Sequence, residues 1–311
     1  MKVLFISSGN SGQISPIVKA QGISLKEIGI EVEYYLIQGK GIWGYLKNIP
    51  SLRRYSKMKN IDVFHAHYSF CGFAAALAGC NPLIVSLMGS DAKGNFLFKF
   101  CIKFFKRFFW SHTIVKSQDM IDSLGIKNAS IIPNGVDLNQ FKPDEKNLCR
   151  EKLGWELNKT HLLFAANPTR WVKNFNLVEK AFNSINDKNI ELHTLVDVDF
   201  GKMNDIYNAS DIVLLSSYWE GSPNVIKEAM ACNKIIVSTE VGDVKEVFGK
   251  TPGTFLSGFE TIEFRDAMHQ AIDFHSNQLS GRGRDRIKEL KIDSINIAKK
   301  IQIDYQRILK K

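Results

Sequence analysis

Nowhere in its 311 residues does the sequence approach the roughly 18 uninterrupted apolar residues of a membrane-spanning helix. The apolar run within Met1-Lys2-Val3-Leu4-Phe5-Ile6-Ser7-Ser8 is too short for a signal sequence, so neither export nor membrane integration is expected. Cysteine is sparse. Cys71, Cys80, Cys101, Cys149 and Cys232 form no C-x-x-C pair and leave an odd one over, which speaks against a disulfide framework or a zinc site and fits a reducing cytoplasm. Internal repeats and low-complexity tracts are missing too, which excludes solenoid and fibrous classes. What is present is an ordinary globular composition, 44% hydrophobic, in a chain long enough for two domains that each bury a core.

Short apolar runs alternate with helical patterns. Val3 to Ile6 reads as a strand, Gly9-Asn10-Ser11-Gly12 as a turn, and Ser15-Pro16 as cap and first residue of a helix that runs to about Ile28 and is closed by Gly29. Strands are expected at Glu31 to Leu36, Val63 to His65, Leu83 to Leu87 and Thr113 to Lys116, then near Leu162 to Ala165, Glu191 to Leu195, Ile212 to Leu215 and Ile235 to Ser238. This succession predicts an α/β protein with two Rossmann-like, doubly wound parallel-sheet domains facing across a cleft. The boundary is expected in the Gly-, Asn-, Asp- and Pro-rich segment 134–147, giving a first domain of residues 1–140 and a second of 141–293. From about Ser294 to Lys311, Ile297, Ile301, Tyr305 and Ile308 recur at helical spacing, with Lys299, Gln306 and Lys310 opposite.

The most informative segment is Glu220-Gly221-Ser222-Pro223-Asn224-Val225-Ile226-Lys227-Glu228, between the strand-like Ser210 to Ser217 and Lys234 to Thr239. The small-residue turn lets backbone amides approach a ligand, and the helix expected from Val225 onward aims unpaired N–H groups and a positive dipole end at an anion. Pro223 cannot donate, so the available amides are mainly those of Ser222, Asn224 and Val225. A carboxylate on each flank, Glu220 in the loop and Glu228 inside the helix, can accept hydrogen bonds from sugar or ribose hydroxyls. In open α/β sheets ligands bind at such strand ends.

Residues Tyr218 to Glu246, with the E-x7-E pair Glu220 and Glu228, resemble the donor-site signature of the retaining glycosyltransferases of family four, which have the GT-B fold. Ile132-Pro133-Asn134-Gly135-Val136-Asp137 with Phe141-Lys142-Pro143 is similar to that family's P-N-G-V-D…F-x-P. Asn167-Pro168-Thr169-Arg170-Trp171-Val172-Lys173-Asn174 is similar to its phosphate clamp, and His65-Ala66-His67-Tyr68 and Gly89-Ser90-Asp91 match more loosely.

The resemblance implies that Lys173 and Arg170 face the donor diphosphate, that Glu228 accepts from the ribose, and that Glu220 with Gly221, Ser222, Pro223, Asn224 and Val225 holds the transferred sugar and phosphates. Gly12 of the Gly9 to Gly12 turn would approach the same diphosphate, and the last helix would pack back on the first domain. Fixed cations and amides stabilise charge on a departing phosphate, so no metal or other cofactor is expected. Asp197-Val198-Asp199 has the letters of a magnesium motif but falls in a loop that the resemblance places near the base. His65, His67, Tyr68 and Asp91 are candidates for contact with acceptor or sugar. The two histidines share a face if their strand continues to His67 and diverge if it ends at His65.

The sequence departs from the family where many relatives carry a His before Gly-x-Asp and this chain has Met88, and in the spacing of Arg170 from Lys173. Three readings follow: a glycosyltransferase moving sugar from a nucleotide donor, UDP-linked in preference to GDP-linked, onto a lipid-linked or polysaccharide acceptor; a silent sugar-nucleotide-binding homologue serving as a partner subunit; and a sugar-nucleotide epimerase. The first is favoured. The net charge of +9 includes Lys99, Lys103, Lys106 and Arg107, which fall on one face of an aromatic helix between Phe96 and Trp110. That face suits an anionic membrane surface, or else is the solvated stripe of a core helix. No nucleic-acid motif accompanies the charge.

Overall fold

The computed structural model describes residues 1–10, 12–39, 41–196 and 198–310. The chain packs as two units, residues 1–135 with the terminal helix Ser294–Leu309, and residues 136–293.

The first unit is built on six parallel strands, β1 (Lys2–Ser8), β2 (Glu31–Ile37), β3 (Val63–His67), β4 (Leu83–Ser86), β5 (His112–Val115) and β6 (Ser130–Ile131), in the order β2-β1-β3-β4-β5-β6. Val3, Leu4, Phe5 and Ile6 are all buried in succession because helices cover both faces of the sheet. One face sets Leu4, Ile6, Phe64, Ala66 and Val85 against Leu52, Ala74 and Ile102 from the helices Gly41–Met58, Ser69–Leu77 and Phe96–Phe108. On the other face lie Phe5, His65 and His67. There the terminal helix buries Ile297, Ile301, Tyr305 and Ile308, and the Tyr305 hydroxyl meets His65 Nδ1 at 2.6 Å. Ser15 caps the helix Pro16–Glu27, with Pro16 in its first turn.

The second unit has five parallel strands, β7 (Thr160–Phe164), β8 (Ile190–Thr194), β9 (Ile212–Leu215), β10 (Ile235–Thr239) and β11 (Thr254–Ser257), in the order β11-β10-β9-β7-β8. Its core joins Leu162, Phe164, Leu214 and Val237 to Val178, Phe264 and Met268.

Each sheet reverses its winding once. In the first the chain passes from β1 out to β2 and returns to the other side of β1 at β3; in the second it passes from β7 out to β8 and returns at β9. At such a reversal the loops leaving two adjacent strands diverge to opposite faces and leave a crevice at their carboxyl ends. The signature loops identified in the sequence leave these strands: Gly9 to Gly12 follows β1, Tyr68 follows β3, Arg170 to Lys173 follows β7 and Glu220 to Asn224 follows β9.

The helix Phe96–Phe108 separates its basic side chains from its aromatic ones. Lys99 Nζ donates to Ser123 O at 2.9 Å, Lys106 Nζ donates to Asn128 O at 3.3 Å, and Lys103 Nζ sits beside Gly125. The basic row leans over residues 123–128, whereas Phe96, Leu97, Phe100, Phe104 and Phe108 face outward. The aromatic row is bare, and Lys103 and Arg107 are exposed as well. Phe98, Ile102 and Phe105 form the buried side. Among the described residues no helix is long and apolar enough to cross a membrane.

Candidate functional site

Three neighbouring strands, β10, β9 and β7, deliver their outgoing loops to one end of the second sheet. After β7 the chain forms a short 3-10 turn, Trp171–Lys173, and Asn174 in the left-handed conformation (φ +51°) turns it into the helix Phe175–Asn183. Ser216 Oγ, just beyond β9, donates to the carbonyls of Lys173 at 2.9 Å and Asn174 at 3.0 Å, and the Tyr218 amide donates to Val172 O at 2.9 Å. These bonds hold Lys173 over the β9 loop. Lys173 Nζ lies 2.5 Å from Glu220 Oε1, which also accepts from Ser217 Oγ at 2.9 Å. Trp171 and Trp219 meet edge to face at 4.8 Å beside the pair. Lys173 and Glu220 therefore converge, while Arg170 is exposed and starts the 3-10 turn.

The helix after the Gly-Ser-Pro turn is Asn224–Ala231, one residue earlier than the sequence suggests, and Pro223 at its cap supplies no side-chain hydrogen bond. The helix opens on backbone donors with no side-chain cap, in the manner of an anion site. Glu228 lies about 6 Å further along the helix axis, at a rise of 1.5 Å per residue. Its Oε2 accepts from the Tyr207 hydroxyl at 2.8 Å, and burial pushes its carboxyl above the usual range. Gly242 presses on the loop from β10: at φ +59°, a Cβ there would stand 2.6 Å from Gly221 O. Only glycine fits this approach.

Two residues that the sequence reading did not single out support the turn from beneath. Lys227, buried in the helix, donates from Nζ to Ser222 Oγ at 2.8 Å, and Ser222 Oγ donates to Asp243 Oδ2 at 2.5 Å. Burial lowers the Lys227 ammonium and raises the Asp243 carboxyl. The signal was a lysine at a helical position flanked by Ile226, Ala229 and Met230, all core positions.

The candidates of the first unit divide. Strand β3 runs to His67, so His65 and His67 share a face and stack at 4.4 Å. His65 is fully buried, and its ring nitrogens meet Tyr305 OH at 2.6 Å and Ser86 Oγ at 2.8 Å, which fills both. His67 is buried as well, yet neither ring nitrogen has a hydrogen-bond partner among the described residues, and burial followed by the Lys116 cation lowers it to about 3. Asp91 points inward, accepting from Ser69 Oγ at 2.6 Å and the Met88 amide at 2.7 Å, with burial raising it to about 6. Thus Asp91 and His65 tie elements together and do not reach outward. Tyr68 is half-buried and adopts φ +85°, a costly conformation for a side chain with a Cβ. Gly12, at φ +77°, closes the turn by donating to Gly9 O at 2.9 Å.

For metal ligation the strongest set is His161 Nδ1, His193 Nε2 and Glu191 Oε2, the carboxylate oxygen lying 3.6 and 3.8 Å from the two nitrogens. It sits on β7 and β8, and Lys159 Nζ, 2.5 Å from the other Glu191 oxygen, works against a further cation there. Asp199 caps the turn Phe200–Lys202 through the Gly201 amide, and Asp197 lies outside the described residues.

Comparison with known proteins agrees with this architecture. Residues 157–273 match the family model "Glycosyl transferases group 1" and residues 6–140 match "Glycosyltransferase Family 4". A Bacillus subtilis glycosyltransferase named for teichuronic acid biosynthesis, TuaC, is 30% identical over 223 residues, which is 61% of this chain and little more than half (56%) of that protein. An Escherichia coli protein named UDP-Gal:alpha-D-GlcNAc-diphosphoundecaprenol alpha-1,3-galactosyltransferase is 25% identical over 82% of this chain and 77% of its own. Among solved structures, Anabaena Alr3699/HepE in complex with UDP and glucose superposes with a TM-score of 0.78 at 16% identity, covering 98% of this chain and 99% of that one. With two parallel-sheet domains and signature loops at the reversal points of their sheets, this chain belongs to the family-four, group 1 glycosyltransferases of the GT-B fold.

Proposed function

We propose that the chain transfers a glycosyl unit from a UDP-sugar to a lipid-linked or polysaccharide acceptor at the cytoplasmic face of a membrane, with retention of anomeric configuration and without a metal. The observation that carries this reading is the placement of the Lys173–Glu220 pair in the loops of β7 and β9, next to a helix amino terminus with no side-chain cap. A diphosphate entering there would compete with Glu220 for Lys173 and free the carboxylate to accept from a sugar hydroxyl. Lys173 and the amides of the turn would then stabilise the charge that builds on the leaving phosphate. That phosphate oxygen can itself take the proton of the attacking hydroxyl, so retention needs no separate base. Glu228 would accept from the ribose once Tyr207 shares or releases it. Support for UDP and for a lipid-linked acceptor comes from the names of the Escherichia coli relative and of the HepE complex.

The test is incubation of the purified chain with radiolabelled UDP-sugars and a membrane lipid extract. Label in the lipid phase is expected. Tight UDP binding with neither transfer nor slow donor hydrolysis would favour the silent homologue.

A further inference from the structure

The helices Gly41–Met58 and Phe96–Phe108 contain eight cations, Lys47, Arg53, Arg54, Lys57, Lys99, Lys103, Lys106 and Arg107, and no Asp or Glu. Nearly all of the chain's net charge of +9 could be assigned to them. Lys99 and Lys106 hydrogen-bond to neutral carbonyls, so those bonds leave their positive charge uncompensated. Beside Lys103 and Arg107 runs an apolar stripe. Phe96 is 81% exposed, Phe100 58%, Phe104 44% and Phe108 65%, and positions 96, 100, 104 and 108 follow one face along about 18 Å of helix. Trp43, 74% exposed, and its neighbours Ile42 and Leu46 continue the apolar surface on the other helix. The two helices are coupled through rings: Tyr45 lies 5.3 Å from Phe70, and Phe70 lies 5.4 Å from Phe98.

A soluble surface does not leave so many aromatic side chains together in water without a partner, and two helices that carry eight cations and no acid favour one of opposite charge. We propose that this face of the first unit docks on an anionic phospholipid surface, with the Phe96–Phe108 helix lying in the headgroup layer and the exposed Lys103 and Arg107 meeting lipid phosphates. An interfacial helix with aromatics on one side and Lys or Arg at its edges binds through buried apolar area together with attraction to anionic lipid. The amino-terminal turns of both helices follow β2 and β4, so docking brings the carboxyl end of the first sheet, with Tyr68 and the Gly9 to Gly12 turn, toward the bilayer. An acceptor anchored in lipid would meet the protein at that end. The docking itself does not depend on the transfer reaction.

Sedimentation of the full chain with vesicles tests this, comparing pure phosphatidylcholine with phosphatidylcholine containing phosphatidylglycerol. The chain is expected to bind the second and not the first, and to bind less as salt rises. Replacing Phe100, Phe104 and Phe108 together by Ser should lower the bound fraction at least about tenfold, the equivalent of about 1.4 kcal/mol, with the far-ultraviolet spectrum unchanged because the three side chains are exposed. Lys103→Glu with Arg107→Glu should remove the preference for phosphatidylglycerol. In a separate variant, Phe104→Trp, emission should shift to the blue on anionic vesicles alone. Binding that the triple variant retains, absence of binding to anionic vesicles at low salt, or a dimer that the triple variant abolishes would each overturn the proposal; the last would assign the stripe to a second copy of the chain.

Discussion

Lys173 Nζ and Glu220 Oε1 stand 2.5 Å apart although 47 residues separate them, because β7 and β9 are neighbours at the reversal point of their sheet. The pair is largely withdrawn from water, at 12% and 20% exposure, so removing either charge leaves the other poorly compensated. Its value is to hold a cation where an anion can claim it.

Lys173→Ala is therefore expected to reduce kcat by about 10²–10³, the scale of losing one charge-stabilising donor. Stability should fall as well, because Glu220 is left largely buried with only Ser217 Oγ to bond it. Arg170→Ala should cost less in kcat, since Arg170 is exposed and does not join the pair. Steady-state kinetics with a UDP-sugar checks the order, and an Arg170 effect exceeding that of Lys173 would reverse the assignment.

Glu228→Ala should weaken UDP binding by about 1 to 3 kcal/mol, as a hydroxyl loses its acceptor. Tyr207→Phe removes the other partner of this carboxylate and should leave UDP affinity intact or improved, because it frees Glu228 Oε2. Isothermal titration of both variants distinguishes a ligand-binding Glu228 from a purely structural one.

Gly242→Ala places a methyl group 2.6 Å from Gly221 O on backbone at φ +59°. Both effects destabilise, the positive φ alone by about 1 to 2 kcal/mol, and the strain falls on the turn proposed to hold the donor phosphates. UDP affinity should fall, and the melting temperature of the second unit, which holds Gly221 and Gly242, should fall with it. A variant that binds UDP as well as the parent would count against the turn.

His67 links structure to pH. Its folded-state value of about 3 lies below its ordinary 6.5, so the unfolded chain takes up a proton first as pH falls. The stabilisation is complete above pH 6.5 and is lost between there and about 3, at up to about 1.4 kcal/mol per pH unit. His67→Phe removes two buried nitrogens that have no hydrogen-bond partner among the described residues, and should be as stable as the parent at pH 7 and lose less on acidification. Urea unfolding at pH 7 and pH 5 measures this; an unchanged acid limb would contradict it.

The interior strands of both sheets were legible because a strand buried on two faces is a continuous apolar run, as in Ile212–Leu215 and Ile235–Thr239. Of the four edge strands, β2 and β8 were legible too, but β6 and β11 were not. Ser130–Ile131 is two residues long, and Thr254–Ser257 is half-exposed along most of its length, so neither carries such a run. Glu220, Glu228 and Lys173 could be found from spacing and turn chemistry, whereas Lys227 and Asp243 support the turn only through tertiary contacts. The orientation of the Phe96–Phe108 helix was hidden for a different reason. Aromatic residues occupy both its buried side (Phe98, Phe105) and its bare side (Phe100, Phe104), so periodicity cannot choose between them, and the carbonyls of Ser123 and Asn128 decide where the lysines go.

The most direct test of the donor site is a crystal structure of the chain with UDP. The diphosphate is expected at the amino end of the helix Asn224–Ala231, within hydrogen-bond reach of the Val225 amide and Lys173 Nζ, and the ribose on Glu228. A nucleotide bound elsewhere, with Lys173 still closed on Glu220, would contradict it.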